Sequence, residues 1–273
     1  MTRSLILAAM LLAASGAPTA TAAEQFVFAV NEGVTYHVTA LESRERYKSV
    51  SEIMAKALKR PVKLVPVDQY PVLQKGLEGT EYDLAYVHPT HHALRAMHLH
   101  GYRLVAVTTG YTEYKARFVT SKAGYKSPKE IHGHRIIMPD PDSITAWIAR
   151  AMLRDVGLDP ATEDLASTRY QDRIQFMTEN GFSDVGVTAD AAIVKKWQDQ
   201  GGSVIMESRP VPIKLLIASP RVAPADVERL KSLFLSLGQT REGREALVGI
   251  GFKGFEPGDE KQLQEIASWL GLF

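Results

Sequence analysis

The sequence predicts an α/β protein of two lobes, each a mostly parallel sheet flanked by helices, with a hinge that the chain crosses twice. Short β-type runs alternate with amphipathic helical stretches, the order that builds parallel βαβ layers. The alternation runs to about Leu99, yields to a polar Tyr-rich segment, and restarts near Arg135. A chain of 273 residues is close to the upper limit for a single core, and no low-complexity run or long linker divides it. Two lobes, each burying its own core, satisfy both facts.

The elements follow from local pattern. Gln25 to Val30 reads as a strand and ends in the polar loop Asn31-Glu32-Gly33. Tyr47 to Leu58 sets Tyr47, Val50, Ile53, Met54, Ala57 and Leu58 on one helical stripe, and Pro61 to Val67 is a second strand. Pro71 to Gly79 is helical, Tyr82 to Val87 a third strand, and His88-Pro89 starts the next helix, since proline suits the first helical position. Leu104–Val107 and Ala116–Thr120 are strands joined by the Tyr-rich passage between lobes. Arg135–Met138 is a strand, Pro139 to Ser143 a loop, Ile144–Val156 and Gln171–Glu179 helices, and Asp184–Thr188 a strand. Val204–Glu207 and Ile213–Ser219 are strands, with Pro210 and Pro212 restricting what lies between them to edge or crossover geometry. Helices are expected over Pro224–Leu237, Arg241–Ile250 and Asp259–Leu270. The implied organisation is 1–23 leader, 24–110 first part of lobe 1, 111–206 lobe 2, and 207–273 crossover and helices returning to lobe 1.

Met1 to Ala23 has the three-part layout of a secretory signal peptide: Arg3, an apolar stretch from Leu5 to Ala14, then the small-residue run Thr19 to Ala23. The apolar stretch is too short for the roughly 20 residues that span a bilayer. Cleavage is expected near Ala23, leaving a soluble periplasmic protein with no stable membrane insertion. With no cysteine in the chain, a lipid-anchored cysteine, a disulfide scaffold and a thiolate metal site are all excluded. Lys+Arg total 32 against 31 Asp+Glu, so no basic footprint for nucleic acid exists and any bound anion must be held locally.

A helix starting near Ser143 leaves its first amides unpaired and its positive dipole end facing the preceding loop, a ready anion site. Ser143 and Thr145 add hydroxyl donors without charge; the plainer alternative is an N-cap and a solvated first-turn residue. Asp140 and Asp142 would repel an anion and read as turn and cap residues. In an α/β crevice the matching element lies at the carboxyl ends of the facing strands, which places His88, Pro89, Thr90, His91 and His92 there.

Four stretches carry a resemblance: Tyr47-x-x-Val50 leading to Leu58-x-x-Pro61-Val62; Asp68-Gln69-Tyr70; Tyr82 to Pro89; and Ser127 to Arg135 leading to Asp140-Pro141-Asp142-Ser143-Ile144-Thr145. In order and spacing they are similar to the periplasmic phosphate/phosphite/phosphonate-binding components of ABC importers, which have the type II periplasmic-binding-protein fold. The resemblance implies capture of a small oxyanion between two lobes, an inner-membrane permease as partner, and no cofactor. It also departs from the family, whose members more often read Phe-Gly-Pro-x-Ser-Tyr where this chain has His88, His91 and His92. In the phosphonate-binding relatives an acidic residue near the late strand can receive a ligand amine; Asp184 and Asp190 lie in that neighbourhood, with Asp190 the better placed.

The expected clamp is therefore Ser143 and Thr145 from one lobe and His88, Thr90 and His92 from the other, with Tyr47 or Tyr86 shaping the pocket and Asp190 at the rim. His88, His91 and His92, spaced i, i+3 and i+4, also suit a transition metal on one helical face. Tyr36, Tyr111 and Tyr114 fall at strand ends or loops, and Arg169, Tyr170 and Gln171 precede a helix start where they can close on an anion. No nucleophile elbow, zinc-protease motif, P-loop or dinucleotide fingerprint occurs, so an enzyme is not expected. A histidine-dependent metal binder and a ligand-sensing subunit for a membrane kinase remain as alternatives.

Overall fold

The computed structural model describes residues 25–33, 38–121, 124–125, 127–170 and 172–273. The expected leader at 1–23, Tyr36 and Gln171 lie outside the described residues.

The first sheet has the order β11-β4-β10-β3-β1-β2, built from β1 (Phe26–Asn31), β2 (Val62–Pro66), β3 (Leu84–Val87), β4 (Arg103–Thr108), β10 (Leu215–Ala218) and β11 (Phe255–Glu256). Its parallel core is β2-β1-β3, and β10 runs antiparallel between β3 and β4. The second sheet has the order β7-β6-β8-β5-β9, from β5 (Arg117–Thr120), β6 (Ile136–Pro139), β7 (Leu165–Thr168), β8 (Val185–Thr188) and β9 (Ser203–Glu207). Here β6 is parallel to β7 and β8, while β5 is antiparallel to β8 and β9. The strands that bring the chain into a lobe from the hinge, β5 and β10, run opposite to the βαβ strands, whereas β4 and β9, which carry it out, run with them.

The two passages between sheets pair with each other. Val211 N donates to Tyr114 O, Ser208 N to Ala116 O and Ile213 N to Tyr111 O, so the hinge is a short antiparallel ribbon rather than two loose strings. Beside the ribbon, the C-terminal helix α9 (Glu260–Leu270) packs on both α3 (Thr90–His100) and α4 (Ile144–Asp155). Arg154 of α4 donates to the terminal carbonyls of Trp269 and Leu270.

Local chemistry sets the helix starts. Helix α1 (Ala40–Leu58) begins seven residues before the apolar stripe because Thr39 and Glu42 form a reciprocal capping box. Helix α2 (Tyr70–Glu78) has proline in its first turn. Pro89 is the N-cap of α3, one place earlier than the first helical position expected for it. Helix α5 (Asp172–Glu179) lies close to its expected span. Among the described residues, the elements with no expectation include β7, a half-buried edge strand; a 3-10 turn at Pro128–Ile131; α6 (Ala191–Asp199), capped by Asp190; and the two-residue β11. The helices α7 (Pro224–Leu235) and α8 (Arg241–Ile250) cover one face of the first sheet with α1, enclosing Phe26, Phe28, Tyr47, Met54, Leu84, Tyr86 and Phe234. The other face carries Leu73, Leu77, Ala93 and Leu94 from α2 and α3, and that cluster continues into α4 and β6 of the second lobe. Apolar packing thus reaches across the gap between lobes beside the polar site.

Candidate functional site

Strands β1, β3 and β4 end on the side of the first sheet that faces the hinge, and β6, β7 and β8 end on the matching side of the second. The α3 and α4 helices start from those ends, and the structure brings their first turns together. The His91 ring lies 5.5 Å from the Trp147 ring. Arg95 and Arg150, one from each helix, stack on Trp147 at 4.7 and 5.5 Å.

Each helix start offers backbone donors. Ser143 is the N-cap of α4: its Oγ accepts from Ala146 N at 3.2 Å and its carbonyl from Trp147 N at 3.1 Å. The amides of Ile144 and Thr145 are left without an intrahelical acceptor. Ser143 thus caps its helix, while its hydroxyl hydrogen remains able to donate. The N-cap of α3 is a proline with no side chain to cap the first turn, so the amides of Thr90 and His91 are in the same condition. Thr145 is buried, and its Oγ1 lies 2.5 Å from the Tyr114 hydroxyl of the hinge ribbon. Asp140 shapes the turn before α4, its carboxylate accepting from Asp142 N and its carbonyl from Ser143 N; Asp142 is exposed.

The histidines are buried and neutral. His88 places Nδ1 3.0 Å from Ile213 O, a pure acceptor, so the ring proton sits on Nδ1. Burial pushes its pKa down to about 4, with Lys214 nearby acting in the same direction. His92 Nδ1 faces the Gln74 amide nitrogen at 3.2 Å, which makes Nδ1 the acceptor and puts the proton on Nε2; burial, then Arg95 and His88, pushes it down to about 3. His91 is held well below the ordinary range by burial first and then by His92, Arg95, His88 and Arg150. Both nitrogens of His91, Nε2 of His92, Oγ1 of Thr90 and Nε1 of Trp147 are buried without a hydrogen-bond partner among the described residues. Buried polar atoms are paired in the great majority of cases, so such a cluster calls for an explanation.

A second constellation lines the first-lobe floor. Glu32, at the end of β1, accepts from Arg46 at 2.8 Å, Tyr47 OH at 3.2 Å and Ser43 Oγ at 3.4 Å. Tyr47, Tyr86, Tyr111 and Phe252 form an aromatic group with ring centroids 5.4 to 6.5 Å apart. Burial pushes the Tyr47 and Tyr86 phenols well up, so both stay neutral. Lys214, 8% exposed, sits with its ammonium 3.7 Å from the Tyr111 ring centre. Burial lowers its pKa to about 8 against the pull of Glu32, leaving it charged at neutral pH. Gly33 closes this floor: with φ at +91°, a Cβ there would meet His88 Cδ2 at 2.6 Å.

The expected residues are therefore only partly convergent. Ser143, Thr145, Thr90, His91 and His92 gather around the α3–α4 meeting point, with His88 beside the floor. Tyr47 and Tyr86 lie beneath that floor in the α1-side core. Asp190 is exposed and its Oδ1 accepts from Ala192 N and Ile193 N as the α6 cap. Arg169 is exposed. His88 and His92 hold their Nδ1 atoms to different groups, and no group of three His, Asp or Glu suited to a metal ion occurs among the described residues. Trp147 and Lys214 were not foreseen. Trp147 hides in an apolar helical stripe, whereas Lys214 had a readable signal, a lone charge inside the run Val211 to Ala218. A cavity of about 520 Å³ lined by Tyr125, Glu130, His134 and Asp184 lies at the opposite, amino-terminal ends of β6 and β8.

A family model described as "ABC transporter, phosphonate, periplasmic substrate-binding protein" matches residues 33–263. No curated protein matches the sequence significantly. Among solved structures, a Xanthomonas citri protein bound to ATP aligns with a TM-score of 0.71 at 15% identity, over 90% of this chain and 97% of that one. PhnD1 from Prochlorococcus marinus, in complex with methylphosphonate, aligns with a TM-score of 0.64 at 16% identity over 89% and 96%. A binding protein component of an ABC phosphonate transporter from Pseudomonas aeruginosa gives 0.61 at 15% identity over 90% and 85%. At these identities the structural likeness is one of fold, that of type II periplasmic binding proteins.

Proposed function

Because the chain belongs to the family of periplasmic substrate-binding proteins of phosphonate ABC transporters, we propose that its α3–α4 crevice traps a small phosphorus oxyanion, a phosphonate, phosphite or phosphate. Members of this family work in the periplasm and hand a solute to a membrane permease; they are transport proteins rather than enzymes. Among the described residues no helix is long and apolar enough to cross a membrane. In this reading residues 1–23 are removed near Ala23, segments 24–110 and 207–273 make one lobe, 111–206 makes the other, and the ligand leaves chemically unchanged.

The observation that carries the reading is the pair of helix starts held face to face, with the buried polar atoms of Thr90, His91, His92 and Trp147 lacking partners between them. A tetrahedral oxyanion offers acceptors in several directions at once. The amides of Ile144 and Thr145, the hydroxyl of Ser143, the Thr145–Tyr114 pair, Thr90, and the Nε2 hydrogen of His92 are donors that carry no charge of their own. Arg95 and Arg150 supply nearby positive potential from either side of Trp147. A ligand bridging donors from both lobes favours the shut state by its differential affinity for it. Tyr47 and Tyr86 support the floor, while Asp190 contributes only a rim charge.

Titration calorimetry of the purified chain with methylphosphonate, phosphite, phosphate and sulfate tests this. Ser143→Ala is expected to weaken the best phosphorus ligand by about 1–3 kcal/mol, the cost of leaving a buried acceptor short of a donor. No binding by any phosphorus oxyanion, or unchanged affinity in both Ser143→Ala and Thr145→Ala, would sink the proposal. Native mass spectrometry before and after denaturation checks that the ligand is returned intact, and N-terminal sequencing of the exported protein checks removal of the leader.

A further inference from the structure

We infer that Lys214 is a specificity-determining residue, which admits oxyanions with a small uncharged substituent and rejects those that carry an ammonium group. The inference rests on the proposed oxyanion reading and adds the class of ligand.

The backbone around Lys214 belongs to the crevice floor. Its carbonyl accepts from Thr108 N at the end of β4, and the preceding carbonyl, of Ile213, holds His88. Leu215, next in the chain, lies opposite Val87 and Val107 at the carboxyl ends of β3 and β4. The side chain lies along the floor, its ammonium 3.7 Å from the Tyr111 ring centre and 5.0 Å from that of Phe252. Aromatic faces of this kind attract a cation through the negative potential of the ring. The place on this floor that would suit a ligand's ammonium is thus already filled by the chain's own.

The nearby carboxylate cannot reverse that preference. Glu32 is engaged by Arg46, Tyr47 and Ser43, and among the described residues Lys214 forms no ion pair within 4.0 Å. Glu32 draws on Lys214 more than Arg46 opposes it, but with its oxygens held by other donors it makes no contact with the ammonium, which keeps its positive charge in a largely desolvated floor. Such a charge attracts an oxyanion from either side of the crevice and repels a second cation brought in with it. Selectivity then arises from a repulsive element as well as from attractive contacts.

Propylphosphonate and 2-aminoethylphosphonate have the same number of heavy atoms and differ only in a terminal methyl against an ammonium, so they isolate the effect. The full chain, titrated with both at pH 7, is expected to bind propylphosphonate at least tenfold more tightly. Lys214→Met keeps the apolar stem and removes the charge; it is expected to narrow that ratio at least fivefold, with its ligand-free melting temperature reporting that it folds. Equal or tighter binding of 2-aminoethylphosphonate by the wild type overturns the inference without recourse to the variant. A folded Lys214→Met protein that keeps the wild-type ratio overturns it as well. Failure of methylphosphonate and both of these ligands to bind at all would instead remove the oxyanion reading beneath it.

Discussion

Replacing His88 by Asn should make the folded protein markedly less sensitive to acid. The imidazole is 5% exposed, donates from Nδ1 to Ile213 O at 3.0 Å, and is pushed by burial to a pKa of about 4. In the unfolded chain it titrates near 6.5. Because the folded value is the lower one, the unfolded state takes up the proton first. The stabilising contribution is complete above pH 6.5 and is lost as pH falls from 6.5 through about 4. At about 1.36 kcal/mol per pH unit, that fall amounts to about 3 kcal/mol by pH 4. Asn can present an amide N–H to the same carbonyl but has nothing to protonate. Urea unfolding followed by tryptophan fluorescence at pH 7.5, 5.5 and 4 should therefore show the wild type losing about 3 kcal/mol more than the variant. His91 and His92 are depressed first by burial, which is common to both proteins, and only in smaller part by His88, so the bulk of their contribution drops out of the difference. Parallel loss in the two proteins would refute the reasoning, because it would mean that His88 is not held neutral by its surroundings. An oxyanion beside the ring has the opposite linkage. It raises the pKa, so methylphosphonate should stabilise the wild type more at pH 5.5 than at 7.5, and His88→Asn should flatten that trend.

Other substitutions probe the frame of the crevice. Gly33→Ala sets a methyl group 2.6 Å from His88 Cδ2 at a backbone φ of +91°; a loss of about 1–3 kcal/mol in denaturant unfolding is expected, with weaker oxyanion binding. Thr39→Ala removes the capping box of α1 and should lower stability by about 1 kcal/mol, read as a lower melting temperature. Leu73→Ala, at a fully buried position between α2 and the first sheet, should cost about 2–5 kcal/mol by chemical denaturation.

The elements that were legible in the sequence are those whose own residues decide them. The apolar stripe of Tyr47 to Leu58, the Asp-Pro-Asp-Ser turn into α4 and the strand at Tyr82 to Val87 all carry their signal within a dozen residues. The same locality explains the gaps. Edge strand β7 is only half-buried and so needs no apolar run. The start of α1 depended on a capping box outside the apolar stripe, and Asp190, weighed as a ligand contact, supplies the cap of an unforeseen helix.

By itself the sequence determined the α/β class, the order of most elements and the helix start at Ser143, because periodicity and capping act between near neighbours. The tertiary structure alone decided that His91 meets Trp147 and that Lys214 lies on Tyr111 and Phe252. It also decided that the imidazoles are neutral, since desolvation depends on what the rest of the fold packs around a ring, not on the residues beside it in the chain.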